Sequence, residues 1–95
     1  MKNDDNRMIE SSGNVFADLG FDPIEAEIMK LRTEFMIRTA QRIKEQGLTQ
    51  VEAAKQLKIT QPRVSRLLKG NAEDFSLDML YTLATRAGLH PQVKF

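Results

Sequence analysis

Two short helical segments, joined by only three residues, lie between residues 49 and 70. Thr49 precedes the first segment as an N-cap, and a glutamate three residues later completes a capping box. Thr60 caps the second segment, and Gly70 follows its end. Since each segment has its own N-cap and only three residues separate the two, the pattern predicts two short helices that cross at a steep angle.

The apolar residues of this stretch have the spacing that such a crossing requires. A small residue is needed where the helices touch, and Ala54 provides it. Apolar side chains must fill the space between the helices, and those at the required positions are Ala53, Leu57, Ile59, Val64 and Leu67. The pattern predicts a helix-turn-helix, although a plain helical hairpin with a solvated basic face is the structural alternative.

The second helix of the pair offers groups that can read DNA bases. Gln61, Arg63 and Arg66 cluster on it, and the helix contains no glutamate. In the major groove, glutamine makes paired hydrogen bonds to adenine and arginine makes them to guanine. The candidates for contact with DNA phosphates are Thr49, Gln50, Lys69 and Asn71.

The charge of the chain is divided unevenly, although its formal net value is only +1. Residues 1–29 carry two basic and seven acidic side chains, whereas residues 30–95 carry twelve basic and six acidic ones. Within residues 48–70, five basic side chains stand against Glu52 alone. This asymmetry indicates a basic body, which binds a polyanion, preceded by an acidic arm. The plainer explanation for the acids of the arm is that acidic residues are favoured in the first turn of a helix.

Two further helices are predicted outside the pair. The first starts at Asp22-Pro23 and runs to about Gln46, where Gly47 stops it. Its apolar residues keep helical spacing: Ile24, Ile28, Leu31, Phe35, Met36, Ala40 and Ile43. The second begins after Ser76 and ends before Gly88, and the tail beyond it, with Val93 and Phe95 alternating with polar residues, is a candidate edge strand.

Residues 48–70 read LTQVEAAKQLKITQPRVSRLLKG, which resembles the helix-turn-helix of the lambda-repressor-like, or XRE, family. Residues 15–95 together look like the compact antitoxins of that family. Residues 14–36, NVFADLGFDPIEAEIMKLRTEFM, are similar to the leader of a subgroup found in toxin–antitoxin modules with a RelE/HigB-like ribonuclease toxin. One departure is Lys58, which stands where the turn usually holds glycine, so that either a lysine adopts a positive φ or the turn differs slightly.

The resemblance implies a fold and a set of contacts. The fold expected is all-α: a compact bundle of four to five helices (residues 22–95) with a flexible acidic N-terminal arm (residues 1–21) and a short extended C-terminal tail. By the resemblance, Gln50 contacts phosphate, and Gln61, Pro62, Arg63 and Arg66 face bases. Exposed apolar residues in the arm either dock onto a partner or cover the domain's own core. The candidates for toxin contact are Val15, Phe16, Leu19 and Phe21.

A single recognition helix reads few base pairs, so we expect a homodimer on a palindromic double-stranded DNA operator, with half-sites about 34 Å apart. The last helix and the tail, with Val93 and Phe95, are the candidate interface. The function predicted is repression of the chain's own operon and neutralisation of a basic ribonuclease toxin. A stand-alone repressor without a toxin and a helical protein-interaction domain remain the alternatives.

Several classes of function are not expected. The chain has no cysteine and a single histidine, His90, so neither a metal site nor a cofactor is predicted. No nucleophile, base and acid converge, which argues against an enzyme. No apolar run approaches the ~20 residues of a membrane span, and the first ten residues lack the apolar core of a signal peptide. We therefore expect a soluble, cytoplasmic protein.

Overall fold

The structure, a computed structural model, describes residues 15–93. These residues form five α-helices and one 3-10 turn and contain no strand. In chain order these elements are α1 (Val15–Asp18), α2 (Pro23–Glu45), α3 (Gln50–Leu57), α4 (Gln61–Lys69), the 3-10 turn (Ala72–Asp74) and α5 (Leu77–Arg86). The predicted all-α fold of four to five helices is confirmed.

Helix α2 begins and ends where the sequence predicts. The Asp22 carboxylate accepts hydrogen bonds from the backbone N–H groups of Ile24 (3.1 Å) and Glu25 (3.3 Å), which caps the first turn. Gly47, with φ +67°, ends the helix. The boundary between two compact units, Met1–Leu31 and Arg32–Phe95, falls within α2.

The described part of the first unit, residues 15–31, is called the N-terminal segment here. The rings of Phe16 and Phe21 meet edge to face, with centroids 5.6 Å apart, across the turn that follows α1. Ala26 and Met29 are buried, whereas Ile24 is 71% exposed. The apolar residues of α2 keep helical spacing but are not all buried: Ile24 and Ile28 are exposed, because helical spacing alone does not fix which of two neighbouring faces is covered. Residues 1–14 of the predicted arm lie outside the described part.

The second unit builds its core from the later part of α2 and from α3, α4 and α5, with α3 packed against both α4 and α5. Of the five apolar residues predicted to fill the space between α3 and α4, four are fully buried, namely Ala53, Leu57, Val64 and Leu67, and Ile59 is half-buried. Ala54, the small residue predicted at the helix contact, is half-buried. The remaining buried residues of this unit are Met36, Thr39, Ile43, Ala72, Phe75, Leu80, Leu83, Ala84 and Ala87.

Side chains hold the C-terminal ends of α3 and α5. Arg86 donates to the Leu57 carbonyl oxygen (2.9 Å), while Gln56 donates to the Arg86 carbonyl oxygen (3.0 Å). Gln46 donates to the Ala87 carbonyl oxygen (3.1 Å). The last carbonyl groups of a helix have no partner within the helix. These bonds therefore satisfy them and fix α3 relative to α5.

The described tail, residues 89–93, forms neither helix nor strand. Leu89 donates its N–H to the Ala84 carbonyl oxygen (3.0 Å), and the Tyr81 hydroxyl lies 3.3 Å from the Pro91 carbonyl oxygen. The start of the tail is thus held against α5. Phe95, the other residue of the candidate edge strand, lies outside the described part of the chain.

Candidate nucleic-acid interface

The first helix of the pair, α3, begins with a complete capping box. The Glu52 N–H donates to Thr49 Oγ1 (3.1 Å), and the Thr49 N–H donates to Glu52 Oε1 (2.9 Å). The predicted cap and its reciprocal partner are both confirmed. This arrangement fixes the direction in which α3 starts, and therefore where Gln50, its first residue, stands at the surface.

The turn between α3 and α4 depends on one left-handed residue. Lys58 has φ 59° and ψ 43°, the conformation that glycine adopts most easily. Its N–H and that of Ile59 both point back to the Ala54 carbonyl oxygen, 3.1 Å away in the case of Ile59. Of the two possibilities at this position, the lysine therefore takes the positive φ, at a cost of roughly 1–2 kcal/mol.

Thr60 is the N-cap of helix α4, and its hydroxyl oxygen accepts a hydrogen bond from the Arg63 N–H (3.4 Å). Gly70, with φ 85°, ends the helix. Val64 and Leu67 face the core, so the opposite side of α4 is directed to solvent. This outer face of α4 comprises Gln61, Pro62, Arg66 and Lys69, all of which are exposed.

The spacing of these residues brings them into one surface. Pro62, Arg66 and Lys69 stand at i, i+4 and i+7, so they share one side of the helix. Gln61 lies at the N-terminal end of the same helix. Three of the four predicted base-contacting residues, Gln61, Pro62 and Arg66, are therefore free to meet a groove of DNA. Ser65 is half-buried beside them.

Arg63, the fourth predicted base-contacting residue, has a different environment. Its side chain is half-buried, and its guanidinium carbon lies 4.7 Å from the centre of the Phe75 ring, in a cation–π contact. Phe75 directly follows the 3-10 turn, and its N–H donates to the Ala72 carbonyl oxygen (3.3 Å). Sequence reasoning missed this pair, since residues twelve positions apart in different elements share no periodic signal.

The predicted phosphate contacts are all exposed. Thr49 and Gln50 stand at the start of α3, where backbone N–H groups favour anions. Thr49 Oγ1 accepts the capping bond, and a hydroxyl in that role still has its own proton to donate. Lys69 is the last residue of α4, and Asn71 follows the glycine that ends the helix. Lys55 and Lys58 add two further exposed positive charges to residues 49–70.

The predicted toxin contacts lie in the N-terminal segment. Val15, the first residue of α1, is 58% exposed, and Leu19, which directly follows α1, is 70% exposed. Phe16 and Phe21 are half-buried because they pack on each other. Exposed carboxylates of Asp18, Asp22, Glu25 and Glu27 accompany these apolar side chains.

Residues 15–93 contain no group of three or more His, Asp or Glu side chains placed to hold a metal ion. None of the helices in that part is both long and apolar enough to cross a membrane. His90 is exposed, just after the end of α5.

The geometry agrees with a comparison to known families. A family model described as a helix-turn-helix domain matches residues 15–95. No curated protein and no solved structure matches the chain. The match covers α1 to α5 and the tail, and so includes the capped pair and both arginines of α4. The chain belongs to this family of helix-turn-helix domains.

Proposed function

We propose that the protein is a sequence-specific transcriptional regulator that reads DNA with α4. The observation that carries this proposal is the outer face of α4, where Gln61 and Arg66 are exposed at a helix held rigidly by Val64 and Leu67. An α-helix fits the major groove, and these two side chain types make the paired hydrogen bonds that distinguish adenine and guanine.

The proposed phosphate contacts lie at the two ends of the α3–α4 pair. Thr49 and Gln50 start α3, while Lys69 and Asn71 stand at the end of α4 and just beyond it. Contacts of this kind set the register of a protein on the duplex without reading its sequence. The excess of positive charge in residues 48–70 supplies the attraction to the DNA backbone.

Selection of binding sites from a randomised duplex library tests the proposal. We expect the wild-type protein to enrich a consensus, and Arg66→Ala to lose about 1–3 kcal/mol on that duplex and to lose preference at one base pair. Arg38→Ala is the matched control, because Arg38 is an exposed arginine on α2. Equal losses by Arg66→Ala on the selected duplex and on a scrambled one would show that Arg66 does not read bases.

The same assay separates DNA binding from a pure protein-interaction role. A helix-turn-helix that binds DNA has measurable affinity for random duplex at low salt, since phosphate contacts are independent of sequence. If the protein binds no duplex there, the helical protein-interaction alternative replaces the regulator proposal.

We further propose that the protein binds its operator as a homodimer through α5 and the tail. Tyr81 on α5 and Val93 in the tail are both exposed apolar side chains, which favours their burial against a second copy. Paired copies would place two α4 helices on a palindrome, one helical turn apart.

Sedimentation equilibrium tests the proposed dimer. We expect a dimer for the full chain and a monomer for the chain truncated after Gly88. Val93→Asp should also dissociate the dimer, whereas Gln92→Asp at the exposed neighbouring position should not. An unchanged dimer after truncation means that the tail is not the interface.

A second role, as the antitoxin of a ribonuclease toxin, is supported by the N-terminal segment. Exposed Val15 and Leu19, accompanied by carboxylates, suit a partner with an apolar patch and a basic surface. Under this proposal the contacts include Phe16 and Phe21, and the protein represses the operon that encodes it together with the toxin. The resemblance of residues 14–36 to leaders of toxin–antitoxin modules points the same way.

Co-expression with a small basic protein encoded beside the gene tests this role. We expect the wild-type chain to co-purify with that protein. We also expect it to restore the growth of host cells in which that protein, expressed alone, inhibits growth. A Val15→Ser and Leu19→Ser double variant should lose both effects, while Ala17→Ser, at an exposed position between them in the sequence, should keep them. Full neutralisation by the double variant would remove the proposed contact surface, and the absence of binding by the wild type would favour a stand-alone repressor.

A further inference from the structure

We propose that Phe75 is a positioning residue that fixes the guanidinium of Arg63 for contact with DNA, and so contributes to base preference without touching a base. The observation is the cation–π pair itself: the Arg63 guanidinium carbon lies over the Phe75 ring, 4.7 Å from its centre. This inference rests on the proposed DNA-binding function of α4.

Phe75 is itself held firmly. Its side chain is only 2% exposed, and its backbone is tied to the 3-10 turn through the Ala72 carbonyl oxygen. Asn71 donates its N–H to the Arg66 carbonyl oxygen (3.2 Å), which ties the start of this loop to the end of α4. The ring therefore sits at a fixed place relative to α4, on which Arg63 lies.

The contact with Phe75 leaves hydrogen-bonding capacity of Arg63 available. The five N–H donors of a guanidinium lie in the plane of the group, so a guanidinium over an aromatic face can still direct donors outward. Two of those donors can still bind one guanine edge or one phosphate. An arginine held in place before binding also loses less side-chain freedom on binding than a free one does.

The two arginines of α4 thus differ in kind. Arg66 is exposed on the outer face, whereas Arg63 lies on the flank of the helix, half-buried over Phe75. The plainer explanation of the pair is that Arg63 merely covers an aromatic ring of the core. In that case its loss lowers stability and leaves base preference unchanged, and this difference makes the two explanations separable.

The experiment compares selected binding sites for the wild type and for variants at both positions. Arg63→Ala first identifies the base pair whose preference depends on Arg63. Phe75→Leu removes the aromatic face and keeps an apolar core residue, and Phe75→Met is a second variant in case the first fails to fold. Met36→Leu, a conservative change at another buried residue of the same unit, is the control.

We expect wild-type discrimination at that base pair to be about fivefold or more, as for a good bidentate contact. Phe75→Leu and Phe75→Met should reduce it to about the level of Arg63→Ala, while discrimination at the base pair read by Arg66 stays intact. Arg63→Lys should also lose it, because an ammonium lacks the planar fork. Met36→Leu should leave both preferences as in the wild type.

Three results would overturn the proposal, and they are distinguishable. If discrimination persists in both Phe75 variants but not in Arg63→Ala, Arg63 reads its base without help from the ring. If Arg63→Ala keeps every preference and only melts at lower temperature, the arginine is a cover for the core. If the wild type selects no consensus at all, the proposed regulator function itself fails, and the positioning role fails with it.

Discussion

The N-terminal segment and the helix-turn-helix of residues 49–70 differ in how far their apolar side chains are exposed to solvent. In the helix-turn-helix, Ala53, Leu57, Val64 and Leu67 are completely buried, and the exposed surface is mainly polar and basic. In the N-terminal segment, Val15 and Leu19 are largely exposed and accompanied by carboxylates. Each region is helical, so secondary structure alone does not account for the difference.

The comparison separates residues that fold the protein from residues left available for partners. A fully buried leucine contributes apolar surface removed from water, and that contribution is made in the free protein. An exposed apolar side chain makes no such contribution until a second surface covers it. Most apolar residues of the helix-turn-helix therefore stabilise its own core, with Val51 (51% exposed) as an exception, while Val15 and Leu19 of the N-terminal segment remain exposed.

The largest expected effect follows from this difference. Leu67→Ala should lower the free energy of unfolding by about 2–5 kcal/mol, because it leaves a cavity at a fully buried position. Leu19→Ala should change it by less than about 0.5 kcal/mol, since that side chain is mostly exposed. Urea unfolding followed by circular dichroism measures both. A cost above 1 kcal/mol for Leu19→Ala would mean that α1 belongs to a core of the free protein.

The opposite charges of the two regions give the next prediction. Lys69→Ala should weaken binding to all duplexes alike and should make the slope of log K against log salt less steep by about 0.9, as expected for one lost phosphate contact. Asp18→Asn, in the acidic segment, should leave that slope unchanged. Fluorescence anisotropy over a series of salt concentrations measures the slopes. Loss of affinity for only one sequence would reassign Lys69 from phosphate contact to base reading.

Both regions also start a helix with a capping side chain, Thr49 for α3 and Asp22 for α2. Thr49→Ala should cost about 1 kcal/mol of global stability, because it removes a cap from a helix packed against α4 and α5. Asp22→Ala should act mainly on the first turn of α2. Native-state hydrogen exchange distinguishes the two effects. A global loss of the same size for Asp22→Ala would show that the start of α2 unfolds together with the rest.

Local signals predicted much of this fold. The caps at Asp22, Thr49, Thr60 and Ser76 are all used as the sequence indicates, so the starts of four helices were predictable. The exposure of Ile24 was not predictable, because periodicity identifies an apolar helix face but does not show which of its residues another element buries. Helix α1 has four residues, too few for a propensity signal.

The candidate site, like the fold, was predictable from the sequence only in part. The outer face of α4 follows from helical spacing and the positions of Val64 and Leu67. The stacking of Arg63 on Phe75 does not, since it depends on how the loop after α4 turns back toward the helix. Residues that act alone on a regular element are visible in sequence, and pairs that meet through a loop are not.

The smallest expected effect concerns the backbone conformations of the two regions. Each contains a residue with positive φ: Gly20 in the N-terminal segment (φ 91°) and Lys58 in the turn of the helix-turn-helix (φ 59°). Glycine adopts this conformation without strain, whereas a lysine loses roughly 1–2 kcal/mol by it. Glycine, however, loses more backbone conformational entropy on folding than other residues do, which costs roughly 0.5–1 kcal/mol.

Lys58→Gly should therefore raise the free energy of unfolding by a few tenths of a kcal/mol up to about 1 kcal/mol. Lys58→Ala is the matched control, since it removes the same charge and keeps the strain, and it should leave stability nearly unchanged. Gly70→Ala is the converse test: φ there is 85° and a Cβ would meet no atom within 4 Å, so its expected loss is conformational alone. If Lys58→Gly is no more stable than Lys58→Ala, the left-handed turn carries no strain that glycine relieves.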